Sequence, residues 1–204
     1  MDNSKSTTLS LCVEEHVLAR ILPILQKGFI VWSRAECSLN EFLCMQQKIS
    51  SDYIAERIST IFLDGKPVDD IDMTVIQDGS SIALSGAMPG LVGAVMRRGS
   101  FYASFRDSIT YKKDKDTHTQ EKCMVNLKLF NIVMKELGLD FLKKGVFFKS
   151  SDLTDFLLNQ SKDFWKGCKE ILLNKKPVEY SLMEKGELVL QNDLVFFSVK
   201  TTTL

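Results

Sequence analysis

The feature that most constrains this fold is an eight-residue stretch that recurs once, 110 positions further along the chain. The sequence IFLDGKPV at 61–68 corresponds position by position to ILLNKKPV at 171–178. Each copy places a turn between apolar residues, and the first residue of that turn, Asp64 or Asn174, is of a type that enters the left-handed region readily. The sequence therefore predicts two hairpins of one kind, in two similar parts of the chain.

The surroundings of the two stretches also correspond, which predicts an internal duplication. Three further pairs occur in the same order in both parts, and gaps are needed to align them. The pairs are LQKGFIVW at 25–32 with LKKGVFFK at 142–149, SLNEFL at 38–43 with DLTDFL at 152–157, and SIALS at 81–85 with LVFFS at 194–198. The alternative interpretation is two unrelated segments that mix helices and strands.

A charged segment, YKKDKDTHTQEK at 111–122, has almost no apolar side chains and is typical of a linker. It predicts a first half at 1–110 and a second half at 123–204. The expected fold class is α+β, with mixed sheets and flanking helices in both halves. Residues 1–10 read as a frayed polar tail. Residues 123–137 carry two overlapping patterns, a strand-like alternation at Val125, Leu127 and Leu129 and a helical spacing at Leu127, Phe130, Met134 and Leu137. The length of the stretch and Gly138 after it favour a helix.

Composition excludes some kinds of partner. The 26 basic residues balance the 26 acidic ones, so no net charge favours nucleic acid or an anionic membrane. The five cysteines are widely spaced and odd in number, which is typical of reduced thiols in a cytoplasmic protein. We therefore expect no nucleic-acid or membrane partner.

No combination of residues predicts a reaction, so enzymatic activity stays open. Cys12 and His16 are four positions apart and could share a helix face, but no second pair completes a metal site, and His118 lies in the charged segment. We therefore expect no metal, no cofactor and no catalytic residue. Cys37 and Cys44 match no redox motif and read as buried structural thiols. The acidic pair Asp69-Asp70 reads as solvated turn carboxylates.

The residues predicted to bind a ligand or partner lie in one glycine-rich segment, SGAMPGLVGAVMRRGSFYASFR at 85–106. Small apolar residues, arginines and aromatic residues occur there together, and aromatic, Met and Arg side chains are enriched at the centres of protein interfaces. The predicted binding residues are Gly86, Met88, Pro89, Gly90, Leu91, Val92, Gly93, Val95, Met96, Arg97, Arg98, Phe101, Tyr102 and Arg106.

Three interpretations of the glycine-rich segment are open. It can bind a protein partner or a second copy of the chain through residues 88–105, which is our first hypothesis. It can instead hold a small anionic ligand, with backbone N–H groups and the guanidinium groups of Arg97, Arg98 and Arg106 as donors. The third interpretation is a connector that packs against the rest of the fold.

Residues 61–86 carry a family resemblance. The sequence IFLDGKPVDDIDMTVIQDGSSIALSG resembles the C-terminal half of a ubiquitin-like β-grasp domain, and more closely the small sulfur carriers of molybdopterin and thiamine synthesis. A weaker similarity covers residues 170–199. The resemblance implies two β-grasp-like halves. Those carriers end in Gly-Gly, whereas this chain continues to Leu204, so carrier function is a second alternative that requires proteolysis after Gly90 or Gly93.

Overall fold

The structure is a computed structural model that describes residues 6–106, 110–111, 122–184, 190 and 192–202. The chain folds into two compact units. Unit 1 comprises Met1–Phe29 with Lys135–Leu204, and unit 2 comprises Ile30–Met134. Both units combine helices with strands that pair in parallel and antiparallel directions, so the predicted α+β class with mixed sheets is confirmed.

Ten strands occur in the described residues. They are β1 Thr7–Val13, β2 Phe29–Arg34, β3 Thr60–Leu63, β4 Lys66–Pro67, β5 Ser81–Ser85, β6 Lys122–Phe130, β7 Val146–Lys149, β8 Cys168–Leu173, β9 Lys176–Pro177 and β10 Leu194–Thr201. The α-helices are α1 Glu15–Ile21, α2 Leu39–Glu41, α3 Ser51–Arg57, α4 Gly90–Met96, α5 Asn131–Lys144, α6 Ser150–Leu158, α7 Lys162–Lys166 and α8 Tyr180–Glu184. Leu22–Gln26 and Phe101–Arg106 are 3-10 turns, and Phe42–Gln46 is a π turn.

The strand order in unit 2 is β4-β3-β5-β6-β2. The pairs β3–β4 and β3–β5 are antiparallel, whereas β5 and β6 are parallel. One face of β6 is buried because Cys123, Val125, Leu127 and Leu129 alternate with more exposed residues. Period-two burial of this kind fixes the strand register, since a slip of one residue would expose the apolar face.

The strand order in unit 1 is β9-β8-β1-β10-β7. The pairs β8–β9, β1–β8 and β7–β10 are antiparallel, and β1 and β10 are parallel. Its core includes side chains from strands and helices that are almost completely buried: Leu9, Leu11, Val13, Phe148, Phe164, Trp165, Val195, Phe197 and Val199.

The two predicted hairpins are confirmed, and they are the same in detail. Asp64 and Gly65 have φ values of 51° and 78°, and Asn174 and Lys175 have φ values of 50° and 65°, as the turn type requires. Leu63 pairs with Lys66 in one hairpin, and the same positions pair in the other. Each hairpin ends its unit's strand order with a two-residue Lys-Pro strand, which is too short and too poor in N–H donors to recruit another strand.

Residues 7–10, predicted as part of a frayed tail, lie in β1, so that prediction is wrong. The pattern that marks a strand is present, because Leu9, Leu11 and Val13 alternate with Ser10 and Cys12. The strand pairs with residues 195–201 and 168–173, which are distant in sequence. Residues 1–5 lie outside the described part of the chain.

The predicted helix at 123–137 is also wrong in its first part. Residues up to Phe130 form β6, and α5 begins at Asn131. Asn131 has a φ of 53°, which allows the chain to turn from strand to helix. Gly138 does not end the helix. It lies inside α5, where an added Cβ would come within 2.7 Å of Leu22 and Leu25.

Each compact unit contains strands from both of the predicted consecutive halves. Strand β6 follows the charged segment in sequence, yet it pairs with β5 in unit 2. Strand β1 comes first in the chain, yet it pairs with β8 and β10 in unit 1. The units therefore do not coincide with 1–110 and 123–204, and most of the predicted linker, residues 112–121, lies outside the described residues.

None of the helices in the described residues has the length and apolar run that a bilayer crossing requires.

Candidate functional site

The glycine-rich segment leaves β5 and folds into two short helical turns within unit 2. Pro89 is the extended residue before α4, which ends where Arg97 returns to an extended conformation. A tight turn at 97–100 then leads into the 3-10 turn Phe101–Arg106. The segment is thus a folded part of unit 2 that directly follows β5.

Two of its glycines are required by the backbone itself. A Cβ on Gly93 would lie 2.0 Å from the carbonyl oxygen of Met88, so only glycine allows α4 to close against that residue. Gly99 has a φ of 63°, which side chains disfavour. The glycines therefore shape the fold of the segment, and their presence alone does not indicate a phosphate loop.

The segment is anchored by a buried arginine. The Arg106 side chain is 1% exposed, and its Nη2 donates to Asp69 Oδ1 at 2.7 Å. Its Nε donates to the carbonyl oxygen of Val95 at 2.8 Å, and its Nη1 donates to Thr110 Oγ1 at 3.1 Å. A buried guanidinium needs such partners because removal of a charge from water is costly.

Asp69 is the other half of this anchor, and sequence reasoning missed its role. Its Oδ1 also accepts the backbone N–H of Gly99 at 3.1 Å, so one carboxylate oxygen holds the end and the middle of the segment. The neighbouring Asp70 accepts from the backbone N–H groups of Asp72 and Met73 within its own turn. No local pattern in the sequence connects Asp69 with Arg106, since the two residues are 37 positions apart.

The other two predicted arginines differ from Arg106. Arg98 is half-buried, and its Nη2 donates to the carbonyl oxygen of Ile54 at 3.1 Å. Burial lowers the pKa of the Arg98 guanidinium, and the charges of Asp69 and Asp72 oppose that shift. Arg97 is exposed. Of the three guanidinium groups proposed for anion binding, two therefore donate to protein acceptors.

The segment presents an apolar surface to solvent. Phe101 is 86% exposed, Phe105 is 74% exposed and Leu91 is 73% exposed. The Tyr102 ring contacts both aromatic neighbours, edge-on to Phe101 at 5.5 Å and stacked on Phe105 at 6.1 Å between ring centroids. With Val92, five of the thirteen large hydrophobic side chains exposed among the described residues lie in this one segment.

The predicted binding residues divide into three groups by exposure. Solvent reaches Pro89, Gly90, Leu91, Val92, Arg97, Phe101 and Tyr102; the half-buried members are Met88, Val95, Met96 and Arg98; and Gly86, Gly93 and Arg106 are buried. Gly86 packs so closely on Ile132 that an added Cβ would lie 2.5 Å from its Cγ2. The exposed members cluster on α4 and the 3-10 turn.

The histidines and cysteines are the other residues that the sequence offered as candidates for chemistry. His16 Nδ1 is 3.2 Å from Glu14 Oε2, and His118 lies outside the described residues. Burial raises the pKa of the Cys44 and Cys123 thiols and raises that of Cys168 to about 11, which disfavours the reactive thiolate. Among the described residues, no group of three His, Cys, Asp or Glu side chains is placed to hold a metal ion.

Comparison of the chain with protein-family models, with curated proteins and with solved structures finds no match.

Proposed function

We propose that this chain is a binding or assembly protein that associates with a second copy of itself through residues 88–105. The observation that carries this proposal is the exposed cluster of Phe101, Tyr102 and Phe105 beside exposed Leu91 and Val92. Contiguous apolar surface of this kind marks interaction sites on soluble proteins. Burial of such aromatic side chains supplies much of the free energy of association.

Two further properties favour a second copy as the partner. The formal net charge is zero, so two copies do not repel each other over long distances. The cluster is also held in place before binding, because Arg106 fixes the 3-10 turn through Asp69 and the Val95 carbonyl oxygen. A preorganised surface loses less conformational entropy on association.

Light scattering tests this proposal. Wild-type protein is expected to form a dimer or larger oligomer, and Phe101→Asp with Phe105→Asp is expected to yield monomer, because charges at the contact cannot be desolvated. The matched control is Met45→Asp with Met73→Asp, which changes two exposed side chains elsewhere in unit 2. The proposal fails if wild type is monomeric at all accessible concentrations, or if both double variants have the same mass as wild type.

The proposed internal duplication is supported by equivalent backbone contacts at the two hairpins. The Asp64 N–H donates to Ser81 O at 2.8 Å, and its Oδ1 accepts from the Ser81 N–H. Asn174 makes the same two contacts with Thr8, again at 2.8 Å from its N–H to the carbonyl oxygen. Strand β1 therefore has in unit 1 the place that β5 has in unit 2, and β10 has the place of β6. The predicted correspondence of SIALS at 81–85 with LVFFS at 194–198 is therefore wrong, because these two strands have different neighbours.

We also propose that residues 61–86 are part of a ubiquitin-like fold and that the chain is cytoplasmic. Residues 61–86 contain β3, β4 and β5, so the resemblance covers three paired strands of unit 2. For the carrier alternative, a protease must cut within α4 after Gly90 or Gly93, and Gly93 is buried. An intact mass for protein from native cells that ends at either glycine would favour that alternative.

The alternative of a small anionic ligand has less support, because Arg106 and Arg98 already donate to protein acceptors. Arg97 is the exposed member of the set. This alternative predicts that inorganic phosphate raises the melting temperature and that Arg97→Ala abolishes that increase. An absence of any phosphate-dependent shift would contradict it.

A further inference from the structure

The glycine-rich segment contains a serine with two arginines directly upstream. Ser100 follows Arg97, Arg98 and Gly99, which include the single Arg-Arg pair of the sequence, and it precedes Phe101. Arg97, Gly99 and Phe101 are exposed, and Ser100 is half-buried. The four residues that flank Ser100 therefore give its hydroxyl basic and partly apolar surroundings, which an enzyme can recognise.

The turn that contains Ser100 is held by several hydrogen bonds. Its Oγ donates to the carbonyl oxygen of Ala94 at 2.9 Å, and its N–H donates to the carbonyl oxygen of Arg97 at 3.3 Å. Gly99, which precedes Ser100, has a backbone φ of 63°, in the left-handed region. The backbone N–H groups of Arg98 and Gly99 donate to the Ser59 carbonyl oxygen at 2.8 Å and to Asp69 Oδ1 at 3.1 Å, and Arg98 Nη2 donates to the Ile54 carbonyl oxygen at 3.1 Å. An enzyme that binds Arg97 to Phe101 in extended form therefore needs a local opening of the turn, which breaks these contacts and frees the Arg98 guanidinium.

We propose that Ser100 is the phosphoryl acceptor of a protein kinase that recognises arginines two and three positions before the acceptor. Two guanidinium groups upstream of the hydroxyl match carboxylates in such a peptide groove, and charge patterns of this kind discriminate kinase substrates. Ser100 Oγ attacks the γ-phosphorus of Mg-ATP. The bond to the β–γ bridging oxygen breaks, ADP leaves, and the hydroxyl proton passes to the catalytic carboxylate of the kinase.

Phosphorylation would loosen the segment. The ester oxygen carries no proton, so Ser100 loses its hydrogen bond to Ala94. The phosphoryl group also brings a charge of about −1.5 to −2 near Asp69, whose Oδ1 accepts the Gly99 N–H. Arg97 and Arg98 offer partial compensation, whereas Arg106 already pairs with Asp69. The added charge beside Phe101 would also weaken self-association, and this consequence alone depends on the proposed function.

The test is incubation of the full chain with the purified catalytic domain of an arginine-directed serine kinase and Mg-ATP, followed by mass spectrometry. One phosphoryl group is expected on Ser100, and none there after Ser100→Ala. Arg97→Ala is expected to slow incorporation about tenfold, the effect of one lost charge-assisted contact. The control Ser51→Ala changes an exposed serine without upstream arginines and is expected to leave the rate unchanged.

Three results would overturn the proposal. The first is phosphate on other residues while Ser100 stays unmodified. The second is a rate of phosphoryl incorporation that Arg97→Ala leaves unchanged. The third is modification of a synthetic peptide covering 94–104 without modification of the full chain. The last result would mean that the folded turn does not open to a kinase. None of these results depends on whether the chain self-associates, so failure of the two proposals can be distinguished.

Discussion

A single carboxylate oxygen, Oδ1 of Asp69, accepts hydrogen bonds from the Arg106 guanidinium and from the Gly99 backbone. The sequence predicted Asp69 to be solvated, because turn carboxylates usually are. Residue type and local spacing cannot reveal a partner 37 positions away. In the similar stretch at 171–178 and the residue after it, Glu179 stands 110 positions beyond Asp69, and it accepts from Ser181 instead. The contact between Asp69 and Arg106 therefore lies in unit 2, the unit that contains the glycine-rich segment.

Substitution of Asp69 is expected to destabilise the fold. Asp69→Ala leaves the buried Arg106 without its charge partner, so the free energy of unfolding should fall by about 2 kcal/mol. Urea denaturation followed by circular dichroism measures this change. Asp52→Ala, an exposed carboxylate on α3, serves as the control and should change stability by less than about 0.5 kcal/mol. Equal effects of the two substitutions would refute the anchor.

Cys168 provides a second prediction for a single residue. Burial raises the pKa of its thiol from 9.0 to about 11, so iodoacetamide should label it in the folded protein with a midpoint near pH 11. In urea the same residue should show the ordinary midpoint near 9.0. Because the unfolded chain releases its proton first, this thiol lowers stability as pH rises from about 9 towards 11. A folded midpoint near 9 would contradict the burial.

At the scale of single elements, short-range turn chemistry was the most predictable part of the fold. The Asp64-Gly65 and Asn174-Lys175 turns adopt the expected left-handed conformations. Ser38-Leu-Asn-Glu41 has the sequence form of a capping box, and Ser38 does cap α2 by accepting the Glu41 N–H. The Glu41 side chain, however, pairs with Arg34. The other contact of a capping box, from the Ser38 N–H to the Glu41 side chain, could therefore not be inferred from the sequence. A side-chain partner from outside the helix decides that detail.

Strands β1 and β6 were missed because their partners are far away in sequence. The alternation of apolar residues in β6 was visible, but an overlapping helical spacing made the choice ambiguous. In the structure both patterns are used in turn, because the chain is a strand up to Phe130 and a helix from Asn131 onward. β1 was read as a tail because its Thr and Ser residues look polar, although they alternate with Leu9 and Leu11.

Helix α4 supplies a prediction for an element. Gly93→Ala would place a methyl group 2.0 Å from the Met88 carbonyl oxygen, so α4 cannot keep its present geometry. We expect faster hydrogen exchange across residues 90–106 and a loss of roughly 1–3 kcal/mol of unfolding free energy. In samples dilute enough to be monomeric, Val92→Ala on the exposed side of the same helix should leave both quantities nearly unchanged. A fully stable Gly93→Ala protein would show that α4 closes differently.

For the molecule as a whole, the units are built from pieces that alternate along the chain. The sequence repeat predicted consecutive halves, whereas unit 1 contains both ends of the chain and unit 2 contains its middle. Motif order could not reveal this arrangement, because β1 and β6 each pair with a strand of the other predicted half. The class of the fold was predictable from local patterns, but the strand partners were not.

The central claim is that residues 88–105 form a contact between copies of this chain. The measurement that tests it most directly is hydrogen–deuterium exchange of the full chain at a series of protein concentrations. Amides of α4 and of the 3-10 turn Phe101–Arg106 should become more protected as concentration rises, while those of the hairpin at Asn174 stay constant. Protection that does not change with concentration in the segment, or that rises equally everywhere, would contradict the claim.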